Sequence, residues 1–173
     1  SAPGMDGEPS VAATVTEKYA YLRPVEVIGV EPLVPQRVCG LEVTLVPVVH
    51  PPVQSYGVVI ADPERDRRIA ISGDTAYSID AAAREAFRGA DLFLADAIVP
   101  AALCERHPMG GADHTAGGTP RTFGTKHMTR EGALALAEEL EVGEVRLVHT
   151  AHYYPPDEAF ASALAVDGEV HRI

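Results

Sequence analysis

Four polar clusters occur where the chain is predicted to leave a strand. They contain His50 in VPVVH, Asp74 in ISGDT, His127 in KHMT and His149 in RLVHT. Because residues just beyond the carboxyl ends of buried strands project into a common crevice, we expect these side chains to lie close together. Two imidazoles and a carboxylate in such a crevice form a natural site for a divalent metal such as zinc. Taken singly, each residue is more simply explained as a polar side chain that ends a strand; the ordered set favours metal binding.

The turn around Asp74 has a composition that suits a site residue. Gly73 allows the backbone to turn sharply, so that Asp74 can point at the crevice. The hydroxyls of Ser72 and Thr75 can hydrogen-bond either the carboxylate or the backbone of the turn.

The hydrophobic pattern predicts an α/β domain whose strands position these clusters. Strands are predicted near residues 25–32, 41–50, 55–62, 68–75, 90–99, 144–150 and 168–173. Helices are predicted at residues 79–89, 128–143 and 157–165. Thr129 is the expected N-cap of the second helix. We expect one mostly buried sheet with the first two helices on its outer face.

The composition is typical of a globular domain. The chain has 173 residues, enough for a single domain with a core, and residues 1–10 are predicted to be a flexible end. A net charge of −11 argues against broad binding of nucleic-acid backbones. No apolar run reaches the roughly 18 residues of a membrane span. Two cysteines without a CxxC motif favour a reducing compartment, so we expect the protein in the cytoplasm.

The ordered clusters resemble the motifs of the metallo-β-lactamase superfamily, and within it those of the ribonuclease Z-like and cyclic phosphodiesterase branch. VVHPPVQSYGVVI is similar to the segment carrying the third metal motif, ISGDT to the fourth and LVHTAHYYP to the fifth. GADLFLADAI and KHMT resemble the nuclease elements that supply an acidic residue and a histidine. The resemblance implies the αββα sandwich of that family, here mainly its second half.

The resemblance also implies roles for individual residues. His50, Asp74 and His149 would be metal ligands, with Asp74 bridging two divalent ions, zinc by preference and manganese or iron as alternatives. Asp96 would orient His127, which would protonate the departing oxygen; the alternative for Asp96 is a turn cap. His152 and Tyr153 would lie at the rim of the pocket and contact substrate.

One expected motif of the family, HxHxDH, is absent, because residues 1–49 contain no histidine. The resemblance therefore predicts a metal-dependent hydrolase whose dinuclear site is completed by a missing N-terminal half, with a homo-oligomer as another possible complement. A small phosphodiester is the favoured substrate, and RNA is disfavoured by the acidic surface. Two alternatives stay open: a degenerate, non-catalytic half-domain that acts as a scaffold or binds a partner, and a thioester or lactone hydrolase on the same fold.

Overall fold

One mixed β-sheet forms the framework of the part of the chain that the structure describes. The structure is a computed structural model and describes residues 27–106, 126–151 and 163–173, together with Ala13, Thr16 and Glu17. The strands are β1 Gln36–Val38, β2 Leu41–His50, β3 Val53–Asp62, β4 Arg67–Ile71, β5 Leu92–Asp96 and β6 Glu144–Val148. Their order in the sheet follows their order in the sequence.

The strand directions bring four carboxyl ends to the same edge of the sheet. Strands β1 to β4 pair antiparallel, so β2 and β4 run in the same direction. Strands β4, β5 and β6 are parallel. The carboxyl ends of β2, β4, β5 and β6 therefore meet at one edge, where ligands bind in open α/β sheets.

Two α-helices pack against the sheet, α1 Ala81–Phe87 and α2 Arg130–Glu139. Each begins at a side-chain cap: Asp80 Oδ1 accepts the Ala83 N–H at 2.7 Å, and Thr129 Oγ1 accepts the Gly132 N–H at 3.1 Å. A short 3₁₀ helix spans Ala101–Arg106.

A single hydrophobic cluster joins the helices to one face of the sheet. Neighbouring strands contribute alternate buried residues, as the pleat requires. The cluster includes Val46, Val59, Ala70, Phe93, Ala95 and Leu147 from the strands and Ala83, Phe87, Ala133 and Leu136 from the helices. Phe87 and Phe93 lie with their rings 5.6 Å apart. An ion pair between Arg84 and Glu139 links the two helices directly.

The predicted α/β class is confirmed, but two predicted strands are wrong. Residues 27–31 form no strand, and Val27 and Ile28 are exposed, with 40% and 67% of their surface accessible. The position beside β2 is taken by β1, which the pattern did not predict. Residues 168–173 form no strand either: Gly168 adopts a positive φ of 81°, and Val170 is exposed.

Other boundaries differ less. Strand β4 ends at Ile71, since Gly73 turns the chain away from the ladder. Helix α2 ends at Glu139, four residues before Gly143, because Glu141 has a positive φ of 55°. The predicted helix at 157–165 lies largely outside the described residues. Within those residues, no helix combines the length and apolar character needed to cross a bilayer.

Candidate metal centre

The four predicted clusters meet at the shared carboxyl edge of the sheet. His50 is the last residue of β2, Asp96 is the last of β5, and His149 follows β6 directly. Asp74 lies three residues beyond β4. The parallel register that pairs Asp96 with Val148 brings the ends of β5 and β6 level, so their polar residues become neighbours.

His127 reaches this edge through the segment that precedes α2. Residues 97–99 continue the line of β5 and carry backbone hydrogen bonds on both sides. On one side Ile98 N–H donates to Met128 O at 3.1 Å; on the other Ala151 N–H donates to Ile98 O at 2.9 Å. These bonds place the segment that begins with His127 beside the end of β5.

Two overlapping groups of side chains offer ligand atoms close enough to share an ion. The first contains His50, Asp74 and His127, and the second contains Asp96, His127 and His149; within each group the ligand atoms all lie within 4.8 Å of one another. The His127 ring lies 4.9 Å from that of His50 and 5.0 Å from that of His149. His127 thus belongs to both groups.

The carboxylate of Asp96 lies within hydrogen-bond distance of two of the imidazoles, those of His127 and His149. Its Oδ2 lies 3.0 Å from His127 Nδ1, and its Oδ1 lies 3.2 Å from His149 Nδ1. The side chain of Asp96 is almost fully buried, with 1% of its surface accessible. Both Nδ1 atoms are directed at this carboxylate, so both Nε2 atoms remain available for an ion or a proton.

Asp74 is the more exposed carboxylate of the centre. Its Oδ1 lies 3.2 Å from His149 Nδ1, and half of its side chain is accessible. His149 itself adopts a positive φ of 59°, a conformation that costs free energy for a residue with a Cβ atom. Strained backbone of this kind occurs at functional sites as well as in turns.

The turn that carries Asp74 is pinned against the neighbouring strands. Ser72 Oγ accepts the Asp96 N–H at 2.8 Å and donates to Gly73 O at 2.7 Å. Gly73 has a positive φ of 61°, and a Cβ atom there would lie 2.8 Å from Tyr56 O. The turn therefore needs glycine both for its conformation and for its approach to β3.

Electrostatics differ between the groups of the centre. Burial lowers the pKa of His50, and the electrostatic effect of the neighbouring His127 side chain lowers it further. Hydrogen bonding to Asp96 raises the pKa of His149 against the opposing effect of burial, and the charge of Asp74 adds to this rise. Burial favours neutral Asp96, but hydrogen bonds from His127, His149 and the Thr75 N–H outweigh it and lower the pKa of that carboxyl.

The donors fit a divalent metal by an independent criterion. His50 Nδ1 is buried and has no hydrogen-bond partner within the described part of the chain, although buried polar nitrogens in folded proteins are nearly always paired. An ion would satisfy such an atom. Imidazole nitrogens and carboxylate oxygens are also the ligands that zinc and similar ions take in hydrolases.

The structure brings together His50, Asp74, Asp96, His127 and His149, all of which the sequence singled out; the roles given to them remain predictions. His152 and Tyr153 lie outside the described residues. The sequence did not indicate that His127 would belong to both groups, because its position depends on residues 97–99. Nor did it indicate that Asp96 would serve His149 as well as His127.

Comparisons with known proteins agree with this geometry. Residues 5–150 match the family described as the beta-lactamase superfamily domain. The fold is similar to that of the metallo-beta-lactamase fold protein YhfI from Bacillus subtilis, with a TM-score of 0.59 and 21% identity over 84% of this chain and 52% of that chain. A search of curated proteins found no match.

Two further solved structures share the fold. A diphosphatase from the PhnP family matches with a TM-score of 0.60 and 22% identity, over 85% of this chain and 46% of that chain. The short form of human tRNase Z matches with a TM-score of 0.51 and 18% identity, over 69% of this chain and 40% of that chain. The chain spans about half the length of these structures or less.

Proposed function

The chain belongs to the metallo-β-lactamase superfamily, and from this premise we propose that it is a metal-dependent hydrolase of a small phosphodiester. The observation that supports the proposal is the convergence of His50, Asp74, Asp96, His127 and His149 at one sheet edge, where they form two overlapping groups of side chains able to bind an ion. Folds of this superfamily generally bind divalent metals, and the described donors suit that chemistry.

His50, Asp74 and His149 are proposed as metal ligands, with Asp74 as the ligand common to two ions. When bound, divalent ions supply Lewis acidity and make hydroxide available near neutral pH. The negative charge of Asp74 offsets the repulsion between two dications. Zinc is the favoured ion. The remaining ligands are proposed to come from a complementary N-terminal half that carries the HxHxDH motif, which is absent from this sequence.

The Asp96–His127 pair is proposed to handle the proton of the leaving group. With Nδ1 held by Asp96 at 3.0 Å, the tautomer of His127 is fixed and its Nε2 can carry the transferable proton. When the P–O bond breaks, its electron pair stays on the departing oxygen and the Nε2 proton is transferred to it. Asp96 stays ionised and stabilises the imidazolium before transfer.

A phosphodiester is preferred because KHMT and the strand that ends at Asp96 resemble the elements that supply a histidine and an acidic residue in the nucleases of this superfamily. The diphosphatase and the tRNase Z among the similar structures support this preference. We further propose that the protein acts in the cytoplasm.

Turnover of substrates that differ only in the scissile centre tests this function. The metal-loaded protein, supplied with the complementary N-terminal half, should hydrolyse bis(p-nitrophenyl) phosphate, and a chelator should abolish the activity. p-Nitrophenyl acetate, a simple lactone and a thioester serve as comparison substrates at equal concentration. Turnover of the thioester or lactone with none of the phosphodiester would replace the proposal by carbonyl hydrolysis. No turnover of any substrate, with metal bound, would support a non-catalytic domain.

A further inference from the structure

Thr75 connects three separate parts of the candidate metal centre through hydrogen bonds. Its N–H donates to Asp96 Oδ2 at 2.9 Å. Its hydroxyl oxygen accepts the Val49 N–H at 3.1 Å and donates to Ala76 O at 3.0 Å. The residue is fully buried. Within the described turn at 72–75, Thr75 is the residue hydrogen-bonded to strand β2, at Val49, which directly precedes His50 at the end of that strand.

We propose that Thr75 is a positioning residue for the metal centre, fixing the Asp74 turn against the end of β2 and against Asp96. The inference rests on the proposed function, since it concerns the ligands assigned there. Asp74 immediately precedes Thr75 and His50 immediately follows Val49, so one hydroxyl sets the separation of two ligands that come from different strands.

A second backbone bond makes the link between the strand and the turn geometrically specific. Ala76 N–H donates to Val49 O at 2.8 Å, while the Val49 N–H is bound to the Thr75 hydroxyl. Both polar groups of Val49 are thereby held by consecutive residues of the turn. Without the hydroxyl, the Val49 N–H loses this partner, and of the two bonds between Val49 and the turn only that from the Ala76 N–H to Val49 O remains.

Asp96 is fixed by the same turn. Its own N–H donates to Ser72 Oγ, and its Oδ2 accepts both the Thr75 N–H and a bond from His127. Asp96 is therefore hydrogen-bonded to the turn on both sides of Asp74, by Ser72 before it and by Thr75 after it. Outer contacts of this kind orient metal-binding side chains, and their loss typically weakens metal affinity about 10- to 100-fold.

The test compares Thr75→Val, which keeps the shape and removes the hydroxyl, with Thr75→Ser, which keeps the hydroxyl. Val59→Ala is the control, because Val59 is a core residue of β3 that lies away from the centre. For each intact protein, zinc affinity is measured by competition with a chromophoric chelator, and the unfolding midpoint is measured without metal.

T75V should bind zinc about 10- to 100-fold more weakly than wild type, and T75S should restore most of the affinity. V59A should lower the unfolding midpoint and leave zinc affinity unchanged. Equal zinc affinity of T75V and wild type would overturn the inference. So would a V59A protein that has the same unfolding midpoint as T75V and loses as much zinc affinity. If T75V does not fold, Thr75→Ala, which also removes the hydroxyl and adds no metal ligand, must show the same loss. A wild-type protein that binds no zinc would overturn the proposed function together with this inference.

Discussion

A single buried carboxylate serves two imidazoles at the centre of the site. Asp96 lies within hydrogen-bond distance of Nδ1 of both His127 and His149. Burial of a carboxylate is costly unless it is fully hydrogen-bonded, and here the bonds from the two imidazoles and the Thr75 N–H meet that need. Its removal should therefore affect proton transfer and ligand geometry together.

Asp96→Asn separates these two effects by means of the leaving group. Without the carboxylate, His127 loses its fixed tautomer and acts poorly as an acid, which should cost about 10²- to 10⁴-fold in turnover of a phenyl phosphodiester. Nitrophenolate leaves without needing a proton, so turnover of a nitrophenyl diester should fall much less. His127→Asn should show the same dependence on the leaving group. An equal loss with both substrates would assign Asp96 to ligand geometry alone.

The sequence located the residues of the site better than their contacts. His50, Asp74 and His149 could be predicted because each follows an apolar run, and strand ends of this kind converge. The dual position of His127 could not, because it depends on the bonds between residues 97–99 and their two neighbours. The positive φ of His149 was equally hidden, since nothing in the residue type requires it.

At the scale of elements, Gly57 of strand β3 lies close against the end of β4 and against helix α1. A Cβ atom on Gly57 would lie 2.6 Å from Ile71 O and 2.7 Å from Cζ of Phe87. Neither neighbour can move freely, because one is backbone and the other is a fully buried core ring.

Gly57→Ala should therefore lower the free energy of unfolding by about 1–3 kcal/mol through overpacking. Denaturant unfolding measures the change. Gly29→Ala is a matched control, because a Cβ atom there meets nothing within 4 Å and the backbone is not in the left-handed region. An unchanged unfolding midpoint for Gly57→Ala would contradict this close packing of Gly57 against Ile71 and Phe87.

Asp91 joins the parallel strands at the edge opposite the site. Its Oδ2 accepts the Arg68 N–H at 2.7 Å, and its Oδ1 accepts from Arg67 Nη1 at 2.8 Å. The bond from the Arg68 N–H lowers the pKa of Asp91 against the opposing effect of burial, and Arg67 lowers it further. The folded state thus favours the ionised carboxylate.

This predicts a pH-dependent effect of Asp91→Asn. A carboxyl whose pKa is lowered on folding contributes stability above its unfolded pKa of about 3.9, and this contribution is lost as the pH falls through the lower, folded value. Near pH 7 the variant should be less stable by about 1 kcal/mol, the scale of a lost hydrogen bond. The unfolding curves of the two proteins should converge in acid. A difference that stays constant down to pH 2 would contradict the assignment.

The central elements were predictable and the peripheral ones were not. Strands β2 to β6 have long apolar patterns that match buried positions, and the caps Thr129 and Asp80 are residues typical of helix starts. The wrong strands at 25–32 and 168–173 have similar patterns, but Val27, Ile28, Val170 and Ile173 are exposed. Only pairing with the rest of the sheet distinguishes the two cases.

At the scale of the whole molecule, charge favours a small substrate. The chain carries a net charge of −11. Several described arginines are engaged by carboxylates: Arg65 by Asp62, Arg67 by Asp91, Arg84 by Glu139 and Arg88 by Glu85 and Glu141. Long-range repulsion should therefore oppose the approach of a polyanion.

We accordingly expect tRNA to be a poor competitor of bis(p-nitrophenyl) phosphate hydrolysis. Inhibition is measured at low and at physiological salt, since any binding through phosphate contacts would strengthen as salt is lowered. Inhibition by micromolar tRNA with a steep salt dependence would contradict the prediction and point to a cationic surface outside the described residues.

The central claim is that the sheet edge at His50, Asp74 and His149 holds metal through Asp74. Elemental analysis of the purified protein and of Asp74→Asn, each exposed to equal zinc and then desalted, tests it most directly. Asp91→Asn is the control for an aspartate changed away from the site, and circular dichroism checks the fold of each protein. We predict bound metal in wild type and in Asp91→Asn, and loss of most of it in Asp74→Asn with the fold retained. Equal metal content in wild type and Asp74→Asn, or none in wild type, would contradict the account.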